Sequence, residues 1–277
     1  RASSGGLDPK YFYEIIGKKS FVDIKEDDFI SAENVHGFRI NSKKKIVATV
    51  QARLGSSRLP GKILKEVKGK PLLEIFLERA RKSKLIDEIV VATTNNPNDD
   101  LIVNLCRAKG ISYYRGSEED VLGRVLDAAK SRNADIIVEL ISDNPLIDAE
   151  VIDDIIQFYL DNDYDYVSSF VGKITLPTGV NAQVFSVDVL DEVDKLTQEP
   201  IDRENVTWYI YHHTEKYKVG TYEAKGILNN PKIRLDLDYP EDFELIKNIY
   251  EKFEGFTFSL RDVIEYLQSN PNLIEIN

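Results

Sequence analysis

From residue 45 onward, apolar and polar positions follow two alternating rhythms. Ile46–Val50, Ile86–Ala92 and Asp135–Leu140 are short apolar-rich runs of strand length, and Ile111–Tyr114 reads as another strand. Between them, Leu72–Ala80, Leu101–Ala108 and Val121–Ala129 carry apolar residues at helical spacing. Short buried strands alternating with amphipathic helices predict parallel βαβ units, hence an α/β fold with a mostly parallel central sheet and helices on both faces. Ligands in such sheets bind at the carboxyl ends of the strands, so those ends are where chemistry is expected. The second half is less regular. Tyr166–Val171, Ala182–Val187 and Ile233–Leu237 read as strands, and Val187–Leu196, Glu204–Tyr211 and Glu241–Tyr250 as helices.

Residues 1–36 differ in character. They predict a short helix from Pro9 to Ile16, stopped by Gly17, then a strand and a turn ending near Val35. This segment is too small to bury a core of its own. The expected boundary lies between His36 and Lys45, with residues 37–44 as linker and 45–277 as the main domain. The sequence begins with Arg1 and contains no methionine, so it is expected to be a piece of a longer protein.

Composition narrows the function. The chain has 277 residues, 42% of them hydrophobic, with a formal net charge of −11. Such a surface repels nucleic acid and anionic lipid, so any anionic substrate must meet a local basic cluster. No run approaches the ~18 apolar residues of a membrane span, and the opening residues carry no apolar leader. The one cysteine, Cys106, sits in the run Leu101–Cys106 and reads as a small core residue. Three histidines, two of them adjacent (His212, His213), do not make a zinc set. A cytoplasmic protein is expected.

Candidate chemistry begins where the first strand ends. Gln51–Lys62 holds Arg53, Arg58 and Lys62 together with Gly55, Gly61, Ser56 and Ser57. Glycine and serine let backbone N–H groups turn toward phosphates. The arginines can meet phosphate oxygens as forks and the lysine as a point charge. The spacing is not that of a Walker loop. Two further strand ends are acidic: Asp143 follows Leu140-Ile141-Ser142, and Asp238 follows Ile233–Leu237. Magnesium takes one or two carboxylates plus substrate phosphates, and Asp143 and Asp238 suit that role; each alone would equally serve as a helix N-cap. Asp148, Glu241 and Asp242 read as helix-start residues.

These segments carry a resemblance. Val50–Arg53, Leu59–Lys62, Gly69–Leu72, Val91–Thr94, Arg115–Arg124, Asp143–Asp148, Glu204–Ile210 and Asp238–Phe243 resemble, in order, the cytidylyltransferases that make CMP-Kdo and CMP-sialic acids, closest to the spore-coat polysaccharide branch. The resemblance covers residues 45 to about 250. It implies a Rossmann-like nucleotide-diphospho-sugar transferase fold, with Arg53, Arg58 and Lys62 as catalytic residues on the triphosphate and Mg2+ held by Asp143 and Asp238. It further implies nucleotide contacts from Gln51, Ala52, Leu54, Gly55, Ser57, Thr94, Ser117 and Arg124. Substrate contacts are implied for Asn181, Gln183, Glu204, Asn205 and Arg234. Partners would be CTP and an acidic sugar, in a homodimer.

The match has departures. The branch usually carries Gly-x-Asp-x-Glu where this chain has Gly179–Gln183, so both carboxylates are amides at Asn181 and Gln183. It usually reads Glu-His-Val-Thr where this chain has Glu204-Asn205-Val206-Thr207. Separately, residues 1–35, with Gly5-Gly6-Leu7-Asp8-Pro9, Ile15-Ile16-Gly17-Lys18-Lys19 and Asp23-Ile24, resemble the last part of the antifreeze-like (SAF) domain that closes sialic-acid synthases. The implied native protein fuses such a synthase to its cytidylyltransferase. The expected reaction is transfer of CMP from CTP to a 3-deoxy-2-ulosonic acid with release of pyrophosphate. A sugar phosphate as acceptor, or an idle nucleotide-binding domain within a larger synthase, are the rival readings.

Overall fold

The computed structural model describes residues 6–7, 11–25, 28–36 and 43–276. The chain divides into two compact units, residues 1–44 and 45–277. In the first, helix α1 spans Phe12–Ile15 and Gly17 follows it at φ 81°, the left-handed conformation that ends a helix without a Cβ penalty. Ser20 and Val35 form a single antiparallel bridge. Among the described residues of this unit, Val35 alone is buried, while Phe12, Tyr13, Phe21 and Phe29 are exposed, as a segment too short for a core requires. Pro9, where the helix was expected to start, and Gly5 and Asp8 of the SAF-like motif lie outside the described residues.

In the second unit, β1 (Ile46–Gln51) leads into the basic loop and then a two-stranded hairpin, β2 (Glu66–Val67) with β3 (Lys70–Pro71). Helix α2 (Leu72–Ala80), β4 (Glu88–Thr94), α3 (Asp100–Ala108), β5 (Ser112–Gly116), α4 (Val121–Lys130), β6 (Ile136–Ile141) and α5 (Ala149–Leu160) complete the regular half. Next come β7 (Tyr166–Ser168), β8 (Gln183–Ser186), α6 (Val187–Leu196), α7 (Pro200–Glu204), α8 (Trp208–His212), β9 (Val219–Thr221), α9 (Pro240–Lys252) and α10 (Leu260–Ser269). The sheet runs β5-β4-β1-β6-β8-β7-β9. Its pairings are parallel except those of β8 with β6 and β7, so the mostly parallel α/β fold stands.

Strand alternation sends side chains to two cores. Ile46, Ala48, Val50, Val138 and Val184 pack with α2, α5, α9 and α10. Ile137, Phe185 and Tyr166 pack with α4, α6 and α8 on the other side. Cys106 is buried, and burial pushes its thiol up to about 11. Asp148 caps α5, accepting from Glu150 N at 2.8 Å, and its other oxygen accepts from Leu260 N at 2.6 Å.

Two expected elements differ. Ile233–Leu237 is not a strand: it makes one parallel bridge, Thr178 with Arg234. Its backbone donors go to irregular partners, Leu235 N to Thr178 O at 3.0 Å and Leu237 N to Asp143 O at 2.9 Å. The approach is close at Gly179 (φ 83°), where a Cβ would fall 2.2 Å from Asp236 N. Of the helix expected over Glu204–Tyr211, only Glu204, the last residue of α7, and Trp208 onward, in α8, are helical, with Asn205–Thr207 between them not. There the Thr207 hydroxyl donates to Gln183 Oε1 at 2.5 Å.

Candidate active site

The carboxyl ends of the neighbouring strands β1 and β6 open into a cleft of about 350 Å³. Gln51, Ala52 and Arg53 line it from β1; Ile141, Ser142 and Asp143 line it from β6. Gly55, Ser57, Arg58 and Lys62 of the basic loop, Arg124 of α4, Glu204 at the end of α7 with Asn205 after it, and Asp238 close it. Side-chain charges on this lining are Arg53, Arg58, Lys62 and Arg124 against Asp143, Asp238 and Glu204. A net local positive charge on a chain of −11 is what recruitment of an anionic ligand needs.

The loop's shape follows from its anchors. Leu54 does not line the cleft; its N–H donates to Asp99 Oδ1 at 2.8 Å. Asp99 is itself held by the Thr94 hydroxyl. Thr94 is fully buried and outside the lining, so it reaches the cleft only by fixing Asp99 and through it the loop. Gly61 takes φ 66°, turning the chain so that Lys62 faces Asp143 at the end of β6 and Asp238 just before α9.

Lys62 is the centre of the arrangement. Its ammonium donates to Asp143 Oδ2 at 2.9 Å, Asp238 Oδ1 at 2.9 Å and Leu237 O at 2.7 Å. Arg58 reaches the same Asp238 oxygen at 2.6 Å and lies over the Tyr239 ring at 5.2 Å. Burial pushes the Asp143 carboxyl up, against the pull of Lys62. Burial acts the same way on Asp238, but the hydrogen bond and charge of Lys62, with those of Arg58, outweigh it and hold that carboxyl below its ordinary value. Two carboxylates converging on one cation fit magnesium, which takes one or two carboxylates and keeps its remaining positions for water and phosphate. Among the described residues, no group of three or more acidic, histidine or cysteine side chains forms a metal cluster.

Asp238 is braced from behind. Asp242 Oδ2 accepts from the Asp238 and Tyr239 N–H groups, each at 2.7 Å, capping α9. Arg234, expected to meet substrate, does not line the cleft; its Nη2 lies 3.1 Å from both Asp236 Oδ2 and Asp242 Oδ2. Three nearby carboxylates thus draw its guanidinium into the support of Asp238.

Other expected contacts divide. Ser117 lies in the adjoining groove, which shares Arg53 and Glu204 with the cleft, and its hydroxyl accepts from Asp120 N at 3.0 Å. Arg124 is buried, donating to the Ser117 and Glu118 carbonyls, with its Nε unpartnered. Gln183, expected on the substrate, is buried in β8, where Oε1 accepts from the Tyr166 hydroxyl at 2.7 Å as well as from Thr207. Asn181 is half-buried and outside the cleft lining. The structure thus places Gln183 in the core, where strand alternation and two hydroxyl donors hold it, and leaves Asn181 outside the lining of this cleft.

Sequence reasoning missed Glu118, 3.9 Å from Arg53, and Tyr239, whose ring meets both Arg58 and Arg234. It also missed Glu139, a buried carboxyl in the middle of β6 that receives the Gln51 amide. Burial raises that carboxyl to about 7. A lone acidic residue inside the apolar run Ile136–Ile141 was the available signal.

A cytidylyltransferase family model matches residues 47–261. An uncharacterized protein of Methanocaldococcus jannaschii, MJ1063, is 40% identical, covering 84% of this chain and 94% of that one. The spore coat polysaccharide biosynthesis protein SpsF of Bacillus subtilis is 34% identical, over 82% of this chain and 95% of its own. Among solved structures, a cytidylyltransferase from Leptospira borgpetersenii is 35% identical and superposes with a TM-score of 0.79, over 83% of this chain and 97% of that one. A CMP:2-keto-3-deoxy-manno-octonic acid synthetase complexed with CTP shares the fold at 20% identity, with a TM-score of 0.59 over 75% of this chain and 99% of that one. The matched span contains the basic loop and both converging aspartates, and the chain belongs to the cytidylyltransferase family of nucleotidyltransferases.

Proposed function

We propose that this protein transfers CMP from CTP to a 3-deoxy-2-ulosonic acid, releasing pyrophosphate. The observation that carries the reading is the meeting of Lys62 with Asp143 and Asp238 at 2.9 Å each, beside a loop that adds Arg53 and Arg58. Arg53, Arg58 and Lys62 take the triphosphate and hold the negative charge that gathers on departing pyrophosphate. Asp143 and Asp238 hold Mg2+, which supplies charge neutralisation at the α-phosphate. The acceptor's anomeric hydroxyl attacks the α-phosphorus in line, its oxygen forming the new P–O bond as the bond to pyrophosphate breaks, and its proton passes to solvent.

The acceptor class is supported by three things. The motifs from Val50 to Phe243 resemble those of enzymes making CMP-Kdo and CMP-sialic acids. The synthetase sharing this fold takes a 2-keto-3-deoxy sugar acid by its name. Residues 1–35 resemble the end of a sialic-acid synthase, which favours a nine-carbon acid made by the same chain. SpsF supports a place in surface polysaccharide synthesis.

The test is pyrophosphate release from each of the four nucleoside triphosphates, with a panel of eight- and nine-carbon ulosonic acids and sugar 1-phosphates at matched concentration. Release with CTP and a ulosonic acid is expected. Preference for a sugar 1-phosphate rejects the acceptor and keeps the nucleotidyl transfer.

A further inference from the structure

Glu139 is a costly residue where it stands. It lies in β6 with Thr49 of β1 opposite it on one side and Gln183 of β8 on the other, and is 2% exposed. A carboxyl buried in a sheet carries a large desolvation penalty unless it is partnered. Glu139 makes no ion pair among the described residues. Its one hydrogen bond comes from Gln51 Nε2 to Oε1, while Oε2 has no partner, nor has Thr49 Oγ1. The phenols of Tyr166 and Tyr211 are the titratable groups that face it. Neither the basic loop nor the acid pair uses this group. Its partner Gln51 is nonetheless part of the cleft wall.

From this arrangement we infer that Glu139 is a positioning residue: it fixes which end of the Gln51 amide faces the cleft. An amide has a donor end and an acceptor end, and packing alone hardly distinguishes them. An ionised carboxylate only accepts, so Gln51 must turn its NH2 inward and leave its carbonyl oxygen for the cleft. A proton taken up at the unpartnered Oε2 leaves Oε1 accepting from Nε2, so protonation there does not by itself reverse the amide; the acceptor-only constraint belongs to the ionised form. The cleft therefore presents a fixed acceptor at Gln51, matched to an N–H or O–H of the bound ligand. Two sources carry that chemistry: the amino group or ribose hydroxyls of the nucleotide, and the hydroxyls of the acceptor sugar.

The inference rests on the cleft being the substrate site, and it is tested with the whole chain. Glu139→Gln keeps the shape but lets the neighbouring amide flip. It should raise one constant roughly ten- to hundredfold, with kcat near that of the wild type. That constant is the calorimetric Kd for CTP if the nucleotide supplies the donor, and the acceptor KM if the sugar does. In a Gln51→Leu background the same substitution should add nothing, because the group it orients is gone. No change in either constant overturns the inference, as does an equal effect of Glu139→Gln in both backgrounds, which marks a purely structural role. A further readout needs neither folding of the variant nor turnover. In the wild-type protein, NMR of the Gln51 side-chain amide should show Nε2 protons protected from exchange with water. Free exchange overturns the inference even if CMP transfer is demonstrated, and protection stands even if it is not.

Discussion

The Arg58 guanidinium meets the Asp238 carboxylate at 2.6 Å, on the same oxygen that Lys62 reaches at 2.9 Å. One carboxylate oxygen therefore holds two of the loop's three cations in place. Because the pair is part of the cleft wall, both cations face the space where a triphosphate would bind.

Replacing either cation should be felt mainly in phosphate handling. Arg58→Ala and Lys62→Ala should each lower kcat/KM by an amount equivalent to about 2–4 kcal/mol of transition-state stabilisation. Lys62→Ala should also lower thermal stability more than Arg58→Ala, since it leaves the Asp143 and Asp238 carboxylates facing each other without the cation between them. Steady-state kinetics and melting curves on both variants check this. Near-normal kcat/KM in both would remove the loop from the chemistry.

Asp143→Asn and Asp238→Asn should each nearly abolish pyrophosphate release while the fold survives. Excess EDTA should do the same to the unaltered protein, and added Mg2+ should restore it. Circular dichroism beside the activity assay separates loss of metal from loss of structure. Full turnover in chelator would show that these aspartates serve only Lys62 and the backbone.

Thr94→Val tests the support of the loop. It removes the hydroxyl that holds Asp99, and Asp99 in turn accepts from Leu54 N. Leaving buried Asp99 short of a donor should cost about 1–2 kcal/mol. The KM for CTP should rise several-fold while kcat changes little. An unchanged KM would mean the loop holds its shape without Asp99.

Stability should fall with rising pH through the range set by Glu139. Its carboxyl is raised from 4.5 to about 7 by burial, so between those values the folded chain binds more protons than the unfolded one. The slope of unfolding free energy with pH is then negative, and stability declines from about pH 4.5 until the group is ionised in the fold above about 7. The full effect is on the order of 2–4 kcal/mol. Glu139→Gln should remove this component and be the more stable protein at pH 8. Chemical denaturation of both proteins from pH 5 to 8 measures it, and parallel curves would contradict it.

Much of this was legible in the sequence because burial writes itself into the apolar pattern. Strand β1 was found within a residue, and α2 and α6 with their ends. The basic loop and Asp143 stand out because charge at a strand's end has no packing purpose, and Asp238 because it follows an alternating run that reads as a strand. Asp236 and Arg234 were harder. Ile233–Leu237 alternates as a strand does, but its backbone donors go to Thr178 and Asp143, and local alternation carries no record of a missing neighbour. The surroundings of Gln183 were hidden for a related reason: the pattern placed it on a strand, but only the fold brings Tyr166 and Thr207 to its carbonyl. The start of helix α5 was read at Asp148 but its length was not, and helix α10 and strand β9 were not assigned. Of these, β9 spans only Val219–Thr221, too short for a period to register.

Lys62 and Asp238 stand 176 positions apart in the sequence. On a ribosome adding about 5–20 residues per second, the lysine waits roughly ten to thirty seconds for that counter-charge. During that interval the βαβ half of the sheet is already synthesised, with its cationic loop facing Asp143 alone. The segment that completes the acid pair is neither helix nor strand: it bridges Thr178 through Arg234, and its Leu237 N–H donates to Asp143 O at 2.9 Å, so its place depends on residues made earlier. A chain released before residue 238 would carry the basic loop without the carboxylate that holds both Arg58 and Lys62.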